Sequence, residues 1–225
     1  MKINILILGL ATILLSACGG ETQVKNETTE KTSRVETLPF YSEATFTPQW
    51  LKPGDESLDT FHRISPFNLT NQEGATVTEK TFKGKIYVTD FFFTTCPGIC
   101  PKMMTNMMTL QEAFLNDDEV LLLSHSVTPE ADSVAVLKEY GENKGILSDK
   151  WHLVTGTQNE IYRLGRKDYF VEEDLGIDKE DDEFLHTENF VLIDKNLHIR
   201  GIYNGLNKTS IKQLIADIKT LKKEG

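Results

Sequence analysis

FFFTTCPGICPKM, residues 91–103, places two cysteines, Cys96 and Cys100, between an apolar run and a segment with helical spacing. Residues 85–93 (KIYVTDFFF) are rich in β-branched and aromatic side chains and apolar on both faces, as a central buried strand is. Residues 101–116 carry apolar side chains at helical intervals. The cysteines are therefore expected where a strand gives way to a helix, at the sheet edge where α/β folds place their chemistry.

The remainder of the chain alternates between strand and helix patterns. Further strands are predicted at 67–69 and 75–78, which form a hairpin around NQEG, and at 120–127, 151–154, 188–194 and 198–203. Further helices are predicted at 129–140, 158–164 and 210–222. This order predicts an α/β fold with a central mixed β-sheet flanked by helices and an N-terminal β-hairpin extension.

Composition limits the class of protein. Of 225 residues, 39% are hydrophobic and 26% charged, which suffices for one substantial core. Asp and Glu number 34 against 24 Lys and Arg, a formal net charge of −10, and no basic cluster interrupts this background. We therefore expect no nucleic-acid partner. Three cysteines are too few for a disulfide-built scaffold.

The N-terminus has the pattern of an export signal. Residues 1–17 combine Lys2 with a long apolar stretch that is short for a membrane span, and the following Cys18 completes a segment (LSACG) that resembles the lipobox of bacterial lipoproteins. That resemblance implies a signal peptide at 1–17, lipidation of Cys18, and an extracytoplasmic protein held to a bacterial membrane, on its periplasmic or outer face. A plain signal peptide is the alternative.

The mature chain divides into two parts. Residues 18–37 contain the lipidated N-terminus and a Thr/Glu-rich stretch with few large apolar side chains, which predicts a flexible tether rather than a short structured arm. Residues 38–225 form the predicted folded domain.

The cysteine pair admits two kinds of chemistry. The Pro-Gly turn can bring both sulfurs within bonding distance, for a disulfide or a shared metal ion. Pro101 suits the first turn of a helix, so Cys100 is expected near a helix N-terminus with a lowered pKa. Three intervening residues differ from the two of thioredoxin-type oxidoreductases, and a structural zinc site would need a second ligand pair. Two thiolates with one nitrogen ligand suit copper, and a purely structural disulfide is the alternative.

The nitrogen ligand must come from one of five histidines, His62, His125, His152, His186 and His198. His186 is the best placed, because it precedes a predicted strand and follows an acidic segment, 172–183, that is expected to be a solvated loop or a docking site. His125 is expected to be packed, with a minor role as substitute ligand, and His198 to lie on the surface of a hairpin. Met103, Met104, Met107 and Met108 are expected mainly in the core, and Trp50 and Trp151 are expected to be packing residues.

The combination of motifs resembles the Sco/SenC family over roughly residues 60–220. The matching stretches are FFFTTCPGICPKM, SVTPEAD (126–132), KWHLVTG (150–156), HTENFVLID (186–194) and IRG (199–201). The resemblance implies a thioredoxin-like fold, attachment to a membrane, and copper bound by Cys96, Cys100 and His186. It also implies a role in assembling the copper centre of cytochrome c oxidase, whose copper-bearing subunit would be the partner.

Two functional hypotheses follow. In the first, the protein is a copper metallochaperone, not an enzyme, that holds Cu(I) or Cu(II) and exchanges it with its client and with other copper chaperones. In the alternative, the redox-active Cys96 and Cys100 reduce the client's cysteines and depend on other thiol reductants. A peroxidase-like enzyme, with Lys102 as the basic partner, is a third and weaker possibility. Thr128 stands where the family commonly has Asp, so no role of that carboxylate transfers to this chain.

Overall fold

The computed structural model describes residues 33–52, 54–172, 185 and 187–224. Its strands are β1 (Asn68–Asn71), β2 (Thr76–Thr78), β3 (Ile86–Phe92), β4 (Val120–Ser126), β5 (Trp151–Thr155), β6 (Asn189–Ile193) and β7 (Ile199–Asn204). Its α-helices are α1 (Glu79–Phe82), α2 (Cys100–Ala113), α3 (Val134–Lys144), α4 (Gln158–Arg163) and α5 (Lys208–Glu224). A short 3-10 turn lies at Glu56–Asp59, and α4 continues into a π-turn at Leu164–Asp168. None of the helices within the described ranges has the length and apolar character needed to cross a bilayer.

The seven strands form one mixed sheet in the order β2-β1-β5-β4-β3-β6-β7. β3, β4 and β5 run parallel, and the β1–β2 and β6–β7 hairpins continue the sheet antiparallel at its two sides. The predicted mixed α/β sheet and the N-terminal hairpin are therefore confirmed. Because the parallel strands share a direction, the loops that follow β3 and β4 meet at one edge of the sheet.

Side chains of β3 alternate between two apolar cores, one on each face of the sheet, as the two-residue period of a strand requires. Ile86, Val88 and Phe92 face the first core, where α2 and α5 pack. Tyr87 and Phe91 face the second core, which is covered by α4 and the π-turn. All seven residues of β3 are buried, which confirms the prediction of a central strand.

Helix α3 starts later than predicted. The pattern placed it at 129–140, but it spans Val134–Lys144 and ends at Gly145, where φ is +74°. The backbone N–H groups of Ala131 and Asp132 both donate to the carbonyl of Thr128, which makes this segment a turn. The helix begins only after Ser133, whose hydroxyl accepts from the N–H of Val136.

The N-terminal arm is clamped to the end of α5 by Arg200. The buried guanidinium of this residue donates to the carbonyls of Leu38 (2.6 Å) and Pro39 (3.1 Å) and contacts the carboxylate of Glu224 at 2.6 Å. Glu224 also accepts from the N–H of Leu38 at 2.7 Å. Arg200 further pairs with Asp194 at 3.2 Å, so its buried positive charge is balanced by two carboxylates and two carbonyl oxygens.

Two predictions about side-chain burial are wrong, and both concern residues in or beneath the N-terminal arm. His198 was expected on the surface of the hairpin, yet it is 2% exposed, with edge-on ring contacts to Phe40 and Phe61. Trp50 was expected to pack but is 61% exposed, since the arm turns back at the Phe40–Gln49 bridge just before it. Trp151 is fully buried, as predicted.

Candidate metal centre

The two thiols lie where β3 meets α2. The chain leaves β3 at Phe92 and reaches Cys96, whose N–H donates to the carbonyl of Phe93 at 3.3 Å. Cys100 is the first residue of α2 and is 6% exposed, whereas Cys96 is partly exposed. Both cysteines are free thiols. The structure therefore presents one accessible sulfur and one buried sulfur at the end of a buried strand.

The helix N-terminus activates Cys96 and not Cys100. Partial burial alone would raise the pKa of Cys96, but hydrogen bonds from the Cys100 thiol and from the N–H groups of Cys100, Gly98 and Ile99 outweigh it and lower that pKa. Burial, with the hydrogen bond that Cys100 gives to Cys96, raises the pKa of Cys100 to about 12. The prediction of a lowered pKa at Cys100 is thus wrong, because the N–H groups at and just before the start of α2, those of Gly98, Ile99 and Cys100, point at the sulfur of Cys96.

A buried carboxylate holds the loop that precedes the cysteines. Asp132, which is 1% exposed, accepts from the hydroxyl (2.5 Å) and N–H (3.2 Å) of Thr94, and from the hydroxyls of Ser126 (2.6 Å) and Thr128 (3.1 Å). It thereby joins the β3–α2 loop to the β4–α3 turn. The hydroxyl of Thr128 thus serves as a hydrogen-bond donor to this carboxylate.

A second buried carboxyl lies beneath the site. Asp90 is on the face of β3 that looks toward α2, and its carboxyl accepts a short hydrogen bond from Ser124, whose hydroxyl oxygen accepts from the indole of Trp151 at 2.8 Å. Burial raises the pKa of Asp90 to about 7, against the lowering effect of Ser124. Its charge in turn contributes to the raised pKa of Cys100.

Asp90 and Asp132 were missed at the sequence level. The signal for Asp90 was a lone carboxylate inside the apolar run KIYVTDFFF, which a buried strand tolerates only with a partner. No comparable signal marks Asp132, because its main partner, Thr94, is 38 residues away.

The candidate nitrogen ligands are distributed over the molecule. His125 lies on the opposite face of the sheet from Cys100, stacked on Phe91 at 4.6 Å, and burial lowers its pKa to about 3. Its Nε2 is buried without a hydrogen-bond partner. His198 lies between β6 and β7, where its Nδ1 hydrogen-bonds the backbone carbonyl of His62 at 2.8 Å. The predicted burial of His125 is confirmed, and its position on the other face separates it from the thiols.

Cys18, His186 and most of the acidic segment 172–183 lie outside the described residues. The neighbours of His186 are described: Leu185 is buried against the second core, and the hydroxyl of Thr187 donates to the carbonyl of Val171 at 2.7 Å. β6 pairs antiparallel with β3, so the beginning of β6 adjoins the end of β3 that leads to the cysteines. Leu185 and Thr187, the described residues on either side of His186, are thus fixed near that edge.

The donor set available in the described part of the chain is two sulfurs. No group of three or more His, Cys, Asp or Glu side chains that could hold a metal ion occurs among the described residues. Two adjacent thiols fit a soft ion of low coordination number, such as copper, better than a hard oxygen-seeking cation. Met103, Met104 and Met107 are buried in the first core, as predicted, and fill space rather than line an opening.

Comparisons with known proteins relate this chain to one family. The model of the SCO1/SenC family matches residues 55–223. The SCO1 protein homolog of Bacillus subtilis (strain 168) is 31% identical over 163 residues, which are 71% of this chain and 82% of the relative. The structure of a SCO1/SenC family lipoprotein from Bacillus anthracis is similar with a TM-score of 0.62 and 30% identity, and the match covers 72% of this chain and 95% of that one. Copper-bound ScoI of Bradyrhizobium japonicum gives a TM-score of 0.55 and 28% identity, covering 70% and 98%.

Proposed function

The chain belongs to the SCO1/SenC family, and from that membership we propose that it is a lipid-anchored, extracytoplasmic copper metallochaperone for the copper centre of cytochrome c oxidase. The observation that carries the proposal is the pair of free thiols at the sheet edge, one activated by a helix N-terminus and one buried. Copper is the cargo in this function, so the site must release it as well as hold it.

Cys96, Cys100 and His186 form the proposed ligand set. The thiols supply two soft donors, and His186 supplies a neutral imidazole. The proposal for His186 is supported by its described neighbours Leu185 and Thr187, which come just before β6, the strand that pairs with β3. A binding site with one accessible sulfur favours transfer by ligand exchange, because a client thiolate can approach the copper from the side of Cys96.

The membrane attachment is part of the proposal. A lipid on Cys18 would hold the domain at the outer face of the membrane, and the lipoprotein nature of the Bacillus anthracis relative supports it. Replacement of Cys18 by Ala should abolish incorporation of labelled fatty acid and release the chain from the membrane fraction. Labelling that persists in this variant would refute the assignment.

A copper titration of the reduced chain from residue 19 to 225, which lacks the signal peptide and Cys18, tests the function. We expect one equivalent of Cu(I) to bind tightly enough to compete with a chromophoric chelator. His186→Ala should weaken the affinity at least about tenfold, since even loss of a residue that only orients a ligand costs that much. His152→Ala is the matched control, because His152 is half-buried on β5 and hydrogen-bonds Asn71. Weak binding that is indifferent to His186 would refute the metallochaperone.

The asymmetry of the two thiols favours a second candidate, a thiol–disulfide oxidoreductase. The Cys96 thiolate would attack a client disulfide, form a mixed disulfide and release one client thiolate. Cys100 would lose its proton and attack the Cys96 sulfur, which frees the second client thiolate and leaves a Cys96–Cys100 disulfide. This reaction needs no imidazole. Full reductase activity in His186→Ala, together with weak copper binding in the unsubstituted chain, would establish it.

A further inference from the structure

One backbone carbonyl, that of Val171, joins two parts of the chain that are far apart in sequence. It accepts from the hydroxyl of Thr187 at 2.7 Å and from the side-chain amide of Asn189 at 2.9 Å. The hydroxyl of Thr187 in turn accepts from the N–H of Asn189 at 3.0 Å. These three hydrogen bonds, here called the Val171 staple, tie the residue that follows His186 to a carbonyl sixteen residues earlier.

The acceptor of the staple belongs to a rigid part of the backbone. The N–H of Val171 donates to the carbonyl of Gly165 at 2.9 Å, and the N–H of Tyr169 donates to that of Leu164 at 2.8 Å. The side chains of Tyr169 and Val171 are fully buried in the second core. Phe170 between them has a φ of +51°, which a non-glycine residue keeps only where its surroundings impose it. The staple is therefore anchored to a fixed turn.

The described residues on either side of His186 are both held. Leu185 is buried, and a Cβ on Gly165 would lie 2.6 Å from its side chain and 3.2 Å from the ring of Phe91, so Leu185 packs where these two residues meet. Thr187 is buried and carries the staple. Adjacent Cα atoms are about 3.8 Å apart, so each neighbour of the histidine is a fixed point one peptide unit away.

The staple lies level with the backbone that holds the thiols. In the pairing of β3 with β6, Val191 is opposite Thr89, and the same register continued by four residues along each strand brings Thr187 level with Phe93. The carbonyl of Phe93 accepts from the N–H of Cys96 at 3.3 Å, and the backbone of Phe93 also hydrogen-bonds the sulfur of Cys100. The residue after the histidine and the residue that contacts both cysteines therefore adjoin each other across the sheet.

We propose that Thr187 is a positioning residue of the copper site, whose hydroxyl, bonded to the Val171 carbonyl, holds the backbone next to His186 at the cysteine edge before copper arrives. This inference rests on the proposed function, because it takes His186 to be a copper ligand. The entropy cost of ordering this backbone is then met when the domain folds and not when copper binds, which strengthens binding. The role of Thr187 is thus exerted through the histidine and not through the thiols.

A double-mutant cycle on the full chain, purified in detergent, tests the proposal by competition for Cu(I) with a chromophoric chelator. We expect Thr187→Val to weaken the affinity about threefold to tenfold, at or below the usual effect of losing a residue that orients a ligand, because Asn189 keeps its own bond to Val171. Thr187→Ser, which keeps the donor, should restore the affinity. In a His186→Ala background, Thr187→Val should have no further effect, because no imidazole remains to be positioned.

Two controls separate positioning from a general loss of stability. Thr89→Val is the matched variant, since Thr89 is fully buried and its hydroxyl hydrogen-bonds Nδ1 of His125 at 3.1 Å. It should lower the urea midpoint as Thr187→Val does and leave the Cu(I) affinity unchanged. The rate at which iodoacetamide modifies Cys96 in the metal-free chain should be the same with and without Thr187→Val. If Thr187→Val does not fold, Asn189→Ala removes the other bond to the carbonyl and should weaken the affinity in the same direction.

Several results would overturn the proposal. An equal loss of affinity with and without His186 would mean that Thr187 acts on the thiols or on the fold as a whole, and so would faster alkylation of Cys96 in Thr187→Val. Cu(I) affinity that is unchanged in Thr187→Val but reduced in His186→Ala would refute this inference alone. Affinity that is unchanged in His186→Ala would instead refute the ligand set of the proposed function, and the role of Thr187 with it.

Discussion

Replacement of Asp132 by Asn tests whether this carboxylate holds the cysteine loop in place. The substitution preserves shape and removes the charge that four donors share: the hydroxyl and N–H of Thr94 and the hydroxyls of Ser126 and Thr128. Hydroxyls can rotate to accommodate an amide. The N–H of Thr94 cannot, so an amide NH₂ in the Oδ2 position would face it donor to donor.

The expected loss of stability in Asp132→Asn follows from these hydrogen bonds. A hydrogen bond to a charged group contributes ~1.5–3 kcal/mol, but bonds that share one acceptor are not additive. Because Asp132 is 1% exposed, water cannot replace what is lost. We expect the free energy of unfolding to fall by about 2–4 kcal/mol, which lowers the urea midpoint by about 1–2 M for a domain of this size.

Urea unfolding monitored by circular dichroism provides the measurement, with Asp118→Asn as the control, since that residue is exposed and the charge change is the same. A double-mutant cycle with Thr94→Val isolates the contact. A coupling energy below about 0.5 kcal/mol would refute the reasoning, because independent sites add within that margin. The loosened loop should also speed alkylation of Cys96, two residues after Thr94.

Three further predictions concern the site and its surroundings. Iodoacetamide at pH 7 should modify Cys96 and leave Cys100 unmodified in the metal-free chain, because the pKa of Cys96 is lowered and that of Cys100 raised to about 12; peptide mass spectrometry that found Cys100 labelled first would contradict the assignment. The pKa of Asp90 is about 7 in the folded protein and 3.8 in the free residue, so the folded state holds an extra proton between these values and the free energy of unfolding falls as the pH rises through them. Asp90→Asn should remove this fall, which is worth at most about 4 kcal/mol. Equal slopes of unfolding free energy against pH in the two proteins would argue against this role of Asp90. A Cβ at Gly165 would lie 2.6 Å from Cδ2 of the buried Leu185, so Gly165→Ala should cost about 1–3 kcal/mol of stability. It should also weaken Cu(I) binding, because it moves the residue before the proposed histidine ligand. An unchanged affinity for Cu(I) with reduced stability would show that Leu185 does not influence the site.

Local patterns predicted most elements of the fold. The apolar run of β3, the helical spacing of α2 and the NQEG turn of the first hairpin are read from neighbours in the chain, and their predicted positions agree with the structure within a few residues. The resemblance to the Sco/SenC family supplied the finer thioredoxin-like assignment. The strand, helix and turn are each determined within about ten residues of sequence, which is the range over which hydrophobic periodicity is read.

The failures at helix α3 and at His198 share a different cause, which is contact across long stretches of chain. Pro129 suits the start of a helix, but Asp132 is bound to Thr94, so the segment stays a turn until Ser133. His198 alternates outward in its hairpin, yet an arm more than a hundred residues earlier covers it. The cysteine spacing places a sulfur near a helix N-terminus, but only the loop geometry decides that it is Cys96.

The Arg200 clamp also determines how the domain bears mechanical load. If Cys18 carries the proposed lipid, a pull on that anchor enters the fold at Leu38 and meets β7, an edge strand, and the last turn of α5. The central strands β3 and β4, which carry the cysteine loop and its supporting carboxylates, lie outside that path. Drag on a tethered molecule would peel the arm from its edge before it strained the loop between Thr94 and Cys100.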